Sequence, residues 1–189
     1  MACVLVLLAL SSSGCGYNSI QGADENVKAA WGEVENQYQR RMDLIPNLVA
    51  TVKGAANFEK ETLEAVIQAR ASATAVKMDA SVLDDPEAFK KLQEAQGSLG
   101  SALSRLLVVS ERYPELKATA AFSELQAQLE GTENRITVAR KRYVESVAEY
   151  NKLVRFFPTN LTARFILGVE PRPTFEATPG SEKPPEVQF

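Results

Sequence analysis

From Val27 the apolar residues recur every three or four positions: Val27, Trp31, Val34, Tyr38, Met42, Ile45, Val49, Val52 and Ala56. That spacing marks one face of an α-helix. Asp24 is a natural N-cap for it, with Glu25 in the first turn. Pro46 removes a backbone donor without shifting the phase of the stripe, so it predicts a kink and not a stop. The pattern runs on through Leu63, Val66 and Ile67 to near Lys77. A second helix opens at Asp84-Asp85-Pro86-Glu87. Its buried face is Phe89, Leu92, Gln96, Leu99, Leu103, Leu106, Val109 and Tyr113, with Gln96 as the polar exception. Gly97 and Gly100 read as room for a close helix approach, and Pro114 ends the segment. The third stripe is Phe122, Leu125, Leu129, Thr132, Ile136, Tyr143, Val147, Tyr150, Val154 and Phe157, closed by Pro158. About 38 helical residues reach roughly 57 Å, which predicts a rod.

A short helix is expected over Asn160–Leu167, stopped by Gly168. Five of the nine prolines then fall between Pro171 and Phe189, so the tail reads as extended or disordered. Three long amphipathic helices cannot bury their stripes alone. The expected fold is therefore all-α: an elongated antiparallel up-down bundle with a short C-terminal helix and an extended tail.

The start of the chain has a different character. Ala2–Leu10 is nine uninterrupted apolar residues, too short for a bilayer span of about 20 but within the apolar region of a signal peptide, about 7–15. Ser13-Gly14-Cys15 follows and resembles the lipobox of bacterial lipoproteins, although Ser12 stands where a leucine-like residue is usual. The resemblance implies lipidation of the Cys15 sulfur and cleavage just before it. Gly16 in place of aspartate after the cysteine favours an outer-membrane destination in an organism that has one. The first basic residue is Lys28, so the positive region of a signal peptide is missing, and the true start is expected upstream of Met1. The competing reading makes Ala2–Leu10 part of a longer uncleaved anchor. The expected organisation is a signal peptide over 1–14, a flexible lipidated tether over 15–23, a helical bundle over 24–168 and a proline-rich tail over 169–189.

Composition removes most chemistry. The 189 residues include no histidine, which takes away the commonest general base and the usual zinc and di-iron ligand sets. Both cysteines, Cys3 and Cys15, lie near the N-terminus, so the body has no thiol nucleophile. A formal net charge of −3 gives no reason to expect nucleic acid as a partner. No cofactor, metal or catalytic residue is expected.

Several strings carry a family resemblance. They are Gln39-Arg40-Arg41-Met42-Asp43-Leu44-Ile45-Pro46-Asn47-Leu48-Val49, Glu61-Thr62-Leu63-Glu64-Ala65-Val66 with Ala69-Arg70-Ala71, Ser110-Glu111-Arg112-Tyr113-Pro114-Glu115-Leu116-Lys117, and Glu130-Gly131-Thr132-Glu133-Asn134-Arg135-Ile136. Ala139-Arg140, Tyr143, Tyr150-Asn151 and Phe157-Pro158 complete the set. Together these resemble the LemA family of bacterial proteins from about Val27 to Phe175. Val144 departs from the asparagine usual after the tyrosine at Tyr143. Many members also carry an uncleaved transmembrane helix where this chain resembles a lipoprotein. The resemblance implies a helical bundle outside the cytoplasm with no established catalytic activity. One branch is associated with magnetosome membranes.

Arg40, Arg41, Asp43 and Asn47 flank Pro46. One reading makes them a partner- or headgroup-binding patch. The preferred reading makes them structural, satisfying backbone groups freed by Pro46 and pairing with Glu133, Asn134 and Arg135 of the third helix. Asp84 and Asp85 are read as helix caps. Arg135, Arg140, Lys141, Arg142, Lys152 and Arg155 bias the end of the third helix toward positive charge, as a solvated face or as a contact for anionic lipid. The expected function is a non-enzymatic, lipid-anchored scaffold or interaction module of the cell envelope, facing the periplasm. Its partners would be the membrane through Cys15, envelope proteins, and copies of itself as a homo-oligomer. The alternatives are a self-assembling membrane-organising protein and an accessory subunit of an envelope enzyme.

Overall fold

The computed structural model describes the backbone of residues 2–55 and 58–176, and side chains from Gly16 onward. It is a bundle of four long helices, and no strand occurs among the described residues. Helix α1 spans Ala2–Lys53, α2 Lys60–Ala75, α3 Pro86–Ser110 and α5 Ala120–Arg155. Short pieces link them: a 3-10 turn at Ala80–Asp84, α4 at Pro114–Lys117 and α6 at Thr159–Thr162. A π-helical turn, Ala163–Leu167, follows α6 and stops at Gly168, whose φ of 62° is the left-handed cap that glycine adopts freely.

The apolar stripes become the core. Helices α1 and α5 pack antiparallel along their length, so Ile20 shares one cluster with Val154 and Val52 shares another with Phe122. Helices α2 and α3 pair antiparallel, and ion pairs Arg112–Glu59 at 2.5 Å and Arg105–Glu61 at 4.0 Å mark the shared end. We call the half around Gly16 and Trp31 basal, and the half around Leu48 distal. Gln96 is buried on the face where the stripe places it. Phe157 is not: it is 79% exposed, because α5 stops at Arg155 before its stripe reaches that ring.

Four local expectations are corrected. The first stripe is not one helix to Lys77. It breaks after Lys53, where Gly54 and Ala55 leave the helix, and α2 resumes at Lys60. A last-turn lysine before a glycine is a stop signal that the unbroken periodicity conceals. Gly16–Gly22 is not a flexible tether. It is helical, with Gly16 and Ile20 buried, because a side chain at Gly16 would meet Thr162 Oγ1 of α6 at 3.3 Å and Ile20 belongs to the core. Asp24 is therefore inside α1 and not its cap. Gly97 has open space where a Cβ would point, and Gly100 would face the Arg41 guanidinium at 3.6 Å, so neither serves a close helix approach. The side chains of residues 1–15, and with them lipid attachment at Cys15, lie outside the described residues, as does Ala56 of the first stripe.

Candidate functional site

Pro46 does not end α1, but its ring nitrogen leaves the Met42 carbonyl without its helical donor. The replacement donor comes from a neighbouring helix. Arg70 of α2 donates from Nε to the Met42 oxygen at 3.1 Å. The residues flanking Pro46 in sequence do other things. Arg40 and Asn47 are exposed, and Asp43 accepts a hydrogen bond from Gln39 at 2.8 Å.

Arg41 is 4% exposed and points between α3 and α5. Its Nη1 donates to Glu133 at 3.0 Å, and its Nη2 donates to the Gln96 backbone oxygen at 3.1 Å and to the Gln96 side-chain oxygen. The guanidinium also lies 5.3 Å from the centre of the Tyr38 ring. Its Nε is buried with no hydrogen-bond partner. Gln96, the polar residue on an apolar stripe, is there to receive this cation. These residues floor a groove of about 1030 Å³, lined by Gln93, Gly97, Ser101 and Ser104 of α3 and by Ile136 and Arg140 of α5. Asn134 and Arg135 do not join it. They are exposed beside Glu33 and Gln37 on the opposite side of α5.

The basal half holds a second cluster, around an arginine of the tail. Residues 169–176 have no helical structure and lie across the bundle as a strap, so the described tail is non-helical as expected but is packed. Arg172 is 9% exposed at its side chain. It donates to Asp24 through Nε at 2.9 Å and Nη2 at 2.6 Å, and to Asp84 through Nη1 at 2.9 Å. Its backbone exchanges two hydrogen bonds with Asn151, at 2.8 Å and 3.1 Å. Burial acts to raise the Asp24 carboxyl, but hydrogen bonds from Lys28 and Arg172 outweigh it and hold the group below its ordinary range. Asp84 is thus a partner for the strap, while Asp85 is the true cap of α3, accepting from the Glu87 and Ala88 amides.

Next along the strap, Pro173 accepts from the Tyr143 hydroxyl at 2.9 Å. Burial pushes that phenol well above its ordinary range. Phe175 enters a ring cluster, 5.0 Å from Phe89, 5.5 Å from Tyr143 and 6.3 Å from Trp31, and Arg140 covers it at 4.1 Å. Trp31 Nε1 donates to the Met78 carbonyl at 2.8 Å. Gln93 pairs with the Glu176 backbone through both its amide nitrogen and oxygen. The described strap, through Glu176, therefore fills the α3–α5 seam in the basal half and reaches the edge of the groove at Gln93. Other basic residues of α5 are largely paired: Arg142 with Glu33 at 2.8 Å and Lys152 with Glu149 at 2.7 Å.

Among the described residues no cluster of three or more cysteine, aspartate and glutamate side chains is placed to hold a metal ion. No described helix is long and apolar enough to cross a membrane. The groove offers hydrogen-bond donors and acceptors along one wall and a fixed cation at its floor. That is chemistry for holding an extended polypeptide or polar group.

The model of the LemA family matches residues 30–189. Magnetosome protein MamQ 2 of Paramagnetospirillum magneticum is 26% identical over 184 residues, covering 89% of this chain and 67% of the relative. Magnetosome protein MamQ of Magnetospirillum gryphiswaldense is 27% identical with the same coverage. Protein LemA of Metamycoplasma hominis is 24% identical over 147 residues, 78% of this chain and 60% of the relative.

Proposed function

The chain belongs to the LemA family, and from that premise we propose that it is a non-enzymatic, lipid-anchored helical bundle of the cell envelope that serves as a scaffold for other envelope proteins. One observation carries the reading. Helix α1 is continuous from Cys15 to Lys53, so the residue that would carry the anchor lies on the first core helix itself. An anchor at Cys15 then holds the whole bundle without a swivel. The relatives named as magnetosome proteins support a membrane setting. The Arg41 groove is the face for a partner, and its buried, paired charges suit binding better than turnover.

Cross-linking and pull-down from native membranes tests this, comparing wild type with Cys15→Ala. The expected result is a defined set of envelope partners with the wild type and their loss when the anchor is removed. Equal recovery of the same partners by a Cys15→Ala chain found in the soluble fraction would sink the anchored scaffold. A second reading, a self-assembling membrane organiser, draws on the magnetosome relatives. It predicts large particles by light scattering when vesicles are added.

A further inference from the structure

At the basal end the chain leaves large apolar side chains in solvent. Phe156, Phe157, Leu161, Phe165 and Ile166 are 48–79% exposed, and all fall between the last turn of α5 and Gly168. Scattered exposed apolar residues are ordinary, but five within one short corner form a patch of the kind that marks a contact surface. The segment itself carries only positive charge: between Glu149 and Glu170 stand Lys152, Arg155 and Arg164, with Lys152 paired to Glu149 at 2.7 Å. Arg155 and Arg164 are exposed and make no ion pair among the described residues, and the Arg164 guanidinium sits 5.7 Å from the Phe165 ring.

The place of this patch is set by α1. Gly16 packs on Thr159 and Thr162 of α6, with 3.4 Å and 3.3 Å left for a side chain. Gly16 is the residue after Cys15, so the anchor point and the patch are neighbours across one helix contact. Aromatic and aliphatic side chains flanked by arginines suit the boundary between headgroups and acyl chains, where rings are buried and cations meet anionic lipid.

We propose that the corner formed by 156–166 seats on an anionic lipid surface, so that the bundle stands on its membrane through a protein contact as well as through its anchor. This rests on the anchored reading and deepens it. The anchor holds the chain to the bilayer, and an apolar and basic protein contact beside it fixes which face of the bundle meets the surface.

The full chain is reconstituted in vesicles of phosphatidylethanolamine and phosphatidylglycerol containing brominated acyl chains. A fluorescent amino acid replaces Phe157 or Phe165, or Val108 as a control. Val108 is 70% exposed near the distal end of α3. Quenching at 157 and 165 several-fold above that at 108 is the expected result. In the Phe157→Ser, Phe165→Ser double variant, which removes only exposed rings, quenching of a probe at 161 should fall several-fold with Tm unchanged. A chain that floats with the vesicles while 165 is no more quenched than 108 overturns the seat and leaves the anchor standing. Failure to float overturns the anchored reading and the seat together. Copies that cross-link through 165 without lipid quenching also overturn the proposal, by showing a second copy on the patch.

Discussion

Around Trp31 the interior is rich in rings; around Leu48 it is mostly aliphatic. Each half has a buried arginine, and the two are held very differently. Arg172 meets two carboxylates, a ring and a reciprocal backbone pair, and it ties α1, α5 and the Ala80–Asp84 turn together. Arg41 meets one half-exposed glutamate and one glutamine, keeps an unpaired Nε, and lies under an open groove. The same α1 and α5 run through both halves, so the helices do not make the difference. The strap does. Along its described length the seam is sealed; beside that length Arg41 is the floor of a groove. The sealed half is the one that holds Gly16, beside the proposed anchor point, and the open half lies at the other end of α1.

The largest test removes the seal. Arg172→Ala leaves Asp24 with Lys28 alone, strips Asp84 of its ion pair and frees the strap, and should cost about 2–3 kcal/mol, or on the order of 5–10 °C in Tm by calorimetry. A loss below about 1 kcal/mol would make the strap an ornament of the bundle. In the open half, Arg70→Ala should cost about 1–2 kcal/mol, because the Met42 carbonyl is left without a donor. In a Pro46→Ala background a helical N–H becomes available to that carbonyl, so the same substitution should become nearly neutral in denaturant melts. Equal costs in both backgrounds would show that Arg70 acts elsewhere.

The Arg41–Glu133 pair should be weaker still. A double-mutant cycle is expected to return a coupling of about 1 kcal/mol, since Glu133 is largely in water. Arg41→Met should cost about 1 kcal/mol, because it strips the buried Gln96 side-chain oxygen of its donor, and Arg41→Met with Gln96→Leu should be close to neutral. Acid separates the halves at the smallest scale. The folded Asp24 pKa lies below its ordinary 3.8, so its contribution is fully present above that pH and fades as pH falls below it. Melting between pH 5 and pH 3, about the range of carboxylate titration, should show a smaller acid loss in Asp24→Asn than in wild type. Identical acid profiles would remove Asp24 from the account.

Much of the distal half was legible in sequence, because its helices follow the three-four rule and Arg41, Gln96 and Glu133 lie on those helices. The stripe from Val27 concealed the break at Gly54, since α2 resumes burial at Leu63 in a phase close to that of α1. The basal half was legible in its helices and illegible in its closure. Arg172 sits among prolines, and its partners are Asp24, 148 residues away, and Asp84, 88 residues away. No local pattern links them, and both aspartates resemble helix caps. Phe175 was the available signal: an aromatic among prolines, at the last position of the family resemblance.

The claim that joins these parts is that the sealed, basal half is the membrane half, because it begins one residue after a lipid-bearing cysteine. Mass spectrometry of the N-terminal peptide from membrane-extracted protein measures this directly. The account predicts a mature chain that begins at Cys15 and carries acyl mass on that residue. A mature, membrane-extracted chain with an unmodified Cys15 still joined to the residues before it would contradict it.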